Sequence, residues 1–234
     1  MRSGDLARYL LDFGWEEVLL PGRRQASDIP ADPLLAGDLS SMAQALAQCQ
    51  RCRLSKGRTQ VVFGVGNPRA RVVFVGEAPG AEEDRQGEPF VGRAGQLLNA
   101  MLRACGLARS EVYIANIVKC RPPGNRDPQD DEAAACLPFL KRQLALIKPE
   151  VIVLLGRVAA RHLLGLTAPI SAFRGSWRRW EGVAVLPTFH PAYLLRNPQA
   201  KRDAWEDLKQ LVAKLQGGSP SEGATAPGNA EIVL

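Results

Sequence analysis

The apolar positions of this chain change their spacing several times, and each change marks an element. Leu6, Tyr9, Leu10 and Phe13 recur at helical spacing and predict a short amphipathic helix over residues 5–19. Residues 21–37 mix Pro, Gly, Asp and Arg without period and read as a linker. Leu39, Met42, Ala43 and Leu46 then share one face of a second helix, capped by Asp38 or Ser40 and ending at Cys49-Gln50-Arg51-Cys52. Short apolar runs rich in valine and isoleucine predict strands over residues 61–64, 72–75, 112–118, 151–155 and 183–187. Helical spacing returns between them, over residues 93–105, 130–147, 157–164 and 203–215, with Gly106 and Gly165 as stops and Pro138 as a kink. From Gly217 onward Gly, Ser, Pro and Ala dominate, which predicts disorder.

This alternation predicts an α/β domain with a mainly parallel sheet over residues 38–216, flanked by segments 1–37 and 217–234. In such sheets ligands sit beyond the carboxyl ends of the strands. Three strand ends send chemically notable loops to one edge. The first is Gly76-Glu77-Ala78-Pro79-Gly80. The second follows Asn116, a lone polar residue in an apolar strand, and runs Lys119 to Arg126. The third is Thr188-Phe189-His190-Pro191. Their convergence predicts a pocket.

Composition narrows the setting. The longest apolar runs are too short to span a bilayer, and Asp12, Glu16 and Glu17 interrupt the apolar start as no signal peptide would allow. A cytoplasmic protein without a membrane partner is expected. A net charge of +6 points weakly to a polyanion. The five cysteines of a cytoplasmic chain favour metal or free thiols over disulfides. Cys49 and Cys52 supply a local pair, and Cys120 and Cys136 come from distant elements. Together they suit a tetrahedral thiolate site for zinc or an iron–sulfur cluster, and the spacing leaves both open. Cys105 faces the apolar side of its helix and reads as core. No P-loop or G-x-G-x-x-G follows any strand, which argues against nucleotide binding.

Four motifs, in this order and with the cysteines, resemble the family 4 uracil-DNA glycosylases. They are Gly-Glu-Ala-Pro-Gly at 76–80, Pro-Phe-Val-Gly-Arg-Ala-Gly at 89–95, Asn-Ile-Val-Lys-Cys-Arg-Pro-Pro at 116–123 and His-Pro-Ala-Tyr-Leu-Leu-Arg at 190–196. The resemblance runs from about Cys49 to Leu215. It implies a three-layer α/β/α arrangement around a mainly parallel four-stranded sheet. It also implies a structural 4Fe–4S cluster on Cys49, Cys52, Cys120 and Cys136, and hydrolysis of uracil from single- or double-stranded DNA by a monomer.

Base release would follow flipping of the nucleotide. On the resemblance, His190 stabilises the uracil anion, Asn116 reads the uracil edge and Phe90 stacks on the base, with backbone N–H groups at Gly76, Glu77 and Ala78 in contact. Alanine at 78 replaces the water-orienting aspartate of the best-known uracil glycosylases. Glu77 is therefore the preferred carboxylate, with Glu83 and Asp84 also in range. Leu194, Leu195 and Arg196 would enter the gap in the DNA. Arg121, Lys119, Arg126, Arg174, Arg178, Lys201 and Arg202 are candidate phosphate contacts. The loop 121–128 lacks the histidine with which some relatives trap the released sugar, so turnover without a covalent adduct is expected. No lysine stands in a nucleophile position, so lyase activity is not. The competing reading is a non-catalytic iron–sulfur or zinc module that binds nucleic acid.

Overall fold

The computed structural model describes residues 32–217. The expected helix at 5–19 and the tail beyond 217 lie outside them. The elements run α1 (Leu39–Leu46), β1 (Val65–Gly66), β2 (Val72–Gly76), α2 (Ala81–Gln86), α3 (Arg93–Ala104), β3 (Tyr113–Asn116), α4 (Asp130–Ile147), β4 (Val151–Leu155), α5 (Arg157–Leu164), β5 (Arg178–Trp180), β6 (Val183–Thr188), α6 (Pro191–Arg196) and α7 (Ala200–Leu215).

The strands form one sheet in the order β1-β3-β2-β4-β6-β5. The four central strands are parallel, and the short β1 and β5 add antiparallel edges that the four-stranded expectation lacked. Side chains alternate along each strand and so feed two cores. Val73, Val75, Ala115, Ile152, Leu154 and Val185 face α1, α4 and α5. Val72, Phe74, Ile114, Val153, Leu155 and Leu186 face α3 and α7. These are the three layers, and a sheet covered on both sides explains why β4 is apolar throughout.

Asp38 caps α1, its carboxylate accepting from Ser41 N at 2.9 Å. Pro33 and Ala36, at the end of the segment read as a linker, are buried against this layer. Residues 61–64 do not form the predicted strand. Val62 is buried and donates to Lys119 O at 2.8 Å, but the ladder with β3 begins only at Val65. The strand predicted over 112–118 is shorter, because after Asn116 the chain follows the loop beyond β2: Ile117 N donates to Gly76 O and Val118 N to Glu77 O. Helix α4 runs unbroken through Pro138. In the register of β2 against β3, Gly76 stands opposite Asn116. No helix among the described residues is long and apolar enough to cross a membrane.

Candidate active site and thiol site

The carboxyl ends of β2, β3 and β6 open onto a cleft of about 400 Å³ lined by Glu77, Ala78, Phe90, Asn116, His190 and Arg196 among others. Gly76, at the end of β2, packs against two of these residues: a Cβ there would stand 2.5 Å from Asn116 Oδ1 and 2.6 Å from Phe90 Cζ. Phe90 itself is buried with a positive φ of 54°, a strained conformation for an aromatic residue. Gly95 makes this possible, because any Cβ there would run into the Phe90 carbonyl. The ring lies 5.5 Å from the imidazole of His190, tilted by 32°.

Each polar group in the cleft has a defined state. Asn116 is 1 % exposed, and its Oδ1 has no hydrogen-bond partner. Such orphans are rare and costly. His190 caps α6 two residues beyond β6, its Nδ1 accepting from Ala192 N at 3.1 Å. That bond places the imidazole proton on Nε2. Burial, helped by Arg196 and opposed by Glu83, lowers the histidine to about 4, so the ring is neutral at pH 7. Burial raises the Glu77 carboxyl to about 7; the neighbouring Asp127 carboxylate, in hydrogen-bond contact, adds to this and Arg157 opposes it.

Glu83 and Asp84, the other candidate carboxylates, are committed to the backbone. Glu83 accepts from Gly80 N at 3.1 Å, Val91 N at 3.0 Å and Gly92 N at 2.9 Å, fastening the loop that carries Phe90. Asp84 accepts from Thr59 N at 2.9 Å. Asp127 was not singled out in the sequence. It lines the cleft and pairs with Arg157 at 3.1 Å. Fifty positions separate it from Glu77, and no local pattern announces a contact made only by the sheet order.

The expected DNA contacts divide. Leu195 and Tyr193 are exposed on α6, and Tyr193 stacks on Phe189 at 5.0 Å. Leu194 is a correction: it is 1 % exposed in a small core with Phe189 and Ala204, because α6 turns this face inward. Lys119 is a second correction, being buried rather than on the surface. Arg174 is paired with buried Asp207, and Arg126 with buried Glu132 at 2.7 Å, so neither cation is free for phosphate. Arg121 is spread over the loop, donating to Asn125 Oδ1 at 2.8 Å.

Cys49, Cys52, Cys120 and Cys136 line one cavity between α1, α4 and the loop after β3. All are free thiols, and Cys105 lies apart in the other core layer. Arg58 donates to Cys120 Sγ and Lys119 N to Cys136 Sγ, each at 3.3 Å. Burial pushes the Cys136 thiol up to about 12, opposed by Lys119. The four sulfurs line the same cavity, a donor set that suits a thiolate-bound metal group.

A family profile described as the uracil DNA glycosylase superfamily matches residues 63–209. A type-4 uracil-DNA glycosylase of Thermotoga maritima is 48% identical over 179 residues, covering 75% of this chain and 93% of that protein. One from Archaeoglobus fulgidus is 45% identical over 181 residues, covering 74% and 91%. A type-5 uracil-DNA glycosylase of Thermus thermophilus is more distant, 34% identical over 173 residues, covering 58% and 78%. With the parallel sheet, the cleft at its carboxyl edge and the gathered thiols, these matches show that the chain belongs to the uracil-DNA glycosylase superfamily, on its type-4 branch.

Proposed function

We propose that this protein repairs DNA by flipping out uracil and hydrolysing its N-glycosidic bond, leaving an abasic site. The observation that carries this is the buried, unpartnered Oδ1 of Asn116 on the cleft floor. A buried acceptor without a protein partner suits an N–H donor. The N3–H of uracil supplies one, and the amide nitrogen can donate to O4. Cytosine would bring a lone pair to Oδ1 and a donor to the amide, leaving buried groups mismatched. Phe90, held against Gly76, offers the stacking face.

Bond cleavage moves electrons into the base as the sugar gains positive character. His190 presents Nε2–H without a charge of its own, aimed where anionic uracil O2 develops. Such a fixed donor is worth most in the transition state. Glu77, once ionised, stabilises the cationic sugar and orients the attacking water, the task its neighbour Ala78 lacks the carboxylate to perform. Since the ionised form is the useful one, activity rises with pH through about 7. Arg196 and the exposed Leu195 of α6 border the cleft, suited to phosphate contact and to filling the gap. Arg121 adds a backbone contact from the opposite loop.

The four gathered thiols would hold a 4Fe–4S cluster, tying α1 and α4 to the loop that follows Asn116; its contribution is structural. The reaction needs no second subunit, and we place the protein in the cytoplasm as a monomer without lyase activity. Release of free uracil from a synthetic uracil-containing strand tests the proposal. The wild type should release it and Asn116→Ala should be slowed; equal rates would overturn the reading.

A further inference from the structure

Lys119 is among the largest fully buried side chains of the molecule, 1 % exposed. Its Nζ donates to the main-chain oxygen of Asn116 at 2.9 Å. Its own backbone N–H donates to Cys136 Sγ at 3.3 Å, and the residue lines the thiol cavity with all four cysteines. Among the described residues no carboxylate pairs with it, and the Asn116 carbonyl is a neutral acceptor. A buried cation costs several kcal/mol unless a counter-charge lies near, so some negative charge belongs here. Four thiolates around an iron–sulfur core carry a net negative charge, and the cavity is where that charge would sit.

We propose that Lys119 is a positioning residue: its ammonium takes its counter-charge from the metal-bound thiolates and uses it to hold the Asn116 carbonyl, so the thiolate site and the base reader form one charged unit. This rests on the reading of the cysteines as a cluster site and of Asn116 as the group that meets uracil. It gives the cluster a reason to be beside this loop rather than elsewhere on the surface of the sheet. Only three residues separate Asn116 from Cys120, and Lys119 bridges them from both its main chain and its side chain.

The experiment compares wild type, Lys119→Met and Lys119→Arg, each isolated with its cluster. The readouts are visible absorbance, the cluster's midpoint potential by film voltammetry, and kcat and KM for uracil release. Lys119→Met keeps the length of the side chain but drops the cation. It should lower the potential, because adding an electron loses a nearby positive charge. It should also reduce kcat about tenfold through the loosened Asn116, with KM for DNA little changed. Lys119→Arg should restore the potential. A Lys119→Met potential equal to wild type, or a Lys119→Arg potential as low as that of Lys119→Met, overturns the proposal. Should Lys119→Met fail to fold, Lys119→Gln takes its place under the same criterion: a fall in potential supports the counter-charge and a potential equal to wild type refutes it. Wild-type protein with no visible band would instead overturn the cluster reading, and wild type with the band but no uracil release would overturn the proposed activity.

Discussion

The cleft and the thiol cavity lie on either side of one short loop, residues 116–120, and they are built to opposite rules. In the cleft a buried amide oxygen has no partner, an imidazole is kept neutral and a carboxyl group titrates at about 7. In the cavity the Cys120 and Cys136 sulfurs are already met by N–H donors. A site that must bind, react and release keeps its hydrogen-bonding capacity unspent, at a cost in stability. A site that holds one occupant for the life of the protein can spend that capacity on folding.

The comparison predicts that variants of the cavity change melting, whereas variants of the cleft change rate. Cys136→Ala should produce the largest effect, of the order of 5 kcal/mol lost with the proposed cluster, or about 10–20 °C in melting temperature by calorimetry. Uracil release per folded molecule should fall far less in this variant than in the next one. His190→Ala should slow single-turnover release by about 10²–10³-fold at an unchanged melting temperature. If it melted early instead, the two regions would not be separate in the way described. Asn116→Ala should cost about tenfold to a hundredfold in kcat/KM on uracil. Its melting temperature should hold or rise, since it removes an unpartnered buried oxygen.

A finer prediction concerns the carboxyl pair. Asp127→Asn removes a charge that raises Glu77, so the acid limb of the pH–rate profile should move below about 7 and leave activity higher under mildly acidic conditions. An unmoved limb would separate Asp127 from Glu77. The smallest effect should come from Leu195→Ala, a loss of about 1 kcal/mol on duplex DNA and none on single strands, where no gap needs filling. Leu194→Ala, one residue away, should instead destabilise the fold by about 3 kcal/mol, measured by urea unfolding.

The parts of this molecule that were legible in the sequence are those written in local period. Residues 151–155 and 130–147 declare strand and helix by their apolar pattern, and both form over those bounds, the helix without the kink expected at Pro138. The three strand-end loops could be placed on one edge because a parallel sheet leaves no other choice. Short elements were missed. The helices at Ala81–Gln86 and Pro191–Arg196 are six residues each, too short for a 3.6-residue period to show, and the edge strand Arg178–Trp180 has charged outer positions. The expected strand at 61–64 fails because an apolar run can be buried in an extended connection without joining a ladder.

The site divides the same way. Glu77, Phe90, Asn116 and His190 were nameable from motifs, and the structure brings them into one cleft. What no motif encodes is the state of each group. The neutrality of His190 depends on its burial, its tautomer on a bond from Ala192 N, and the idleness of Glu83 on three backbone donors. Asp127 and Lys119 belong to the same class: one is not singled out by the sequence and the other reads there as a phosphate contact.

The pairing of Gly76 with Asn116 across β2 and β3 has one more consequence. Adjacent strands are held about 4.8 Å apart by their ladder, whatever side chains they carry. On the proposed reading, the backbone at the end of one strand and the amide at the end of the next would grip a base from points set by the sheet itself. Recognition would then work like a caliper with fixed jaws. Point mutations can blunt a jaw, but the gap between the jaws is a property of β-structure and is not available to drift.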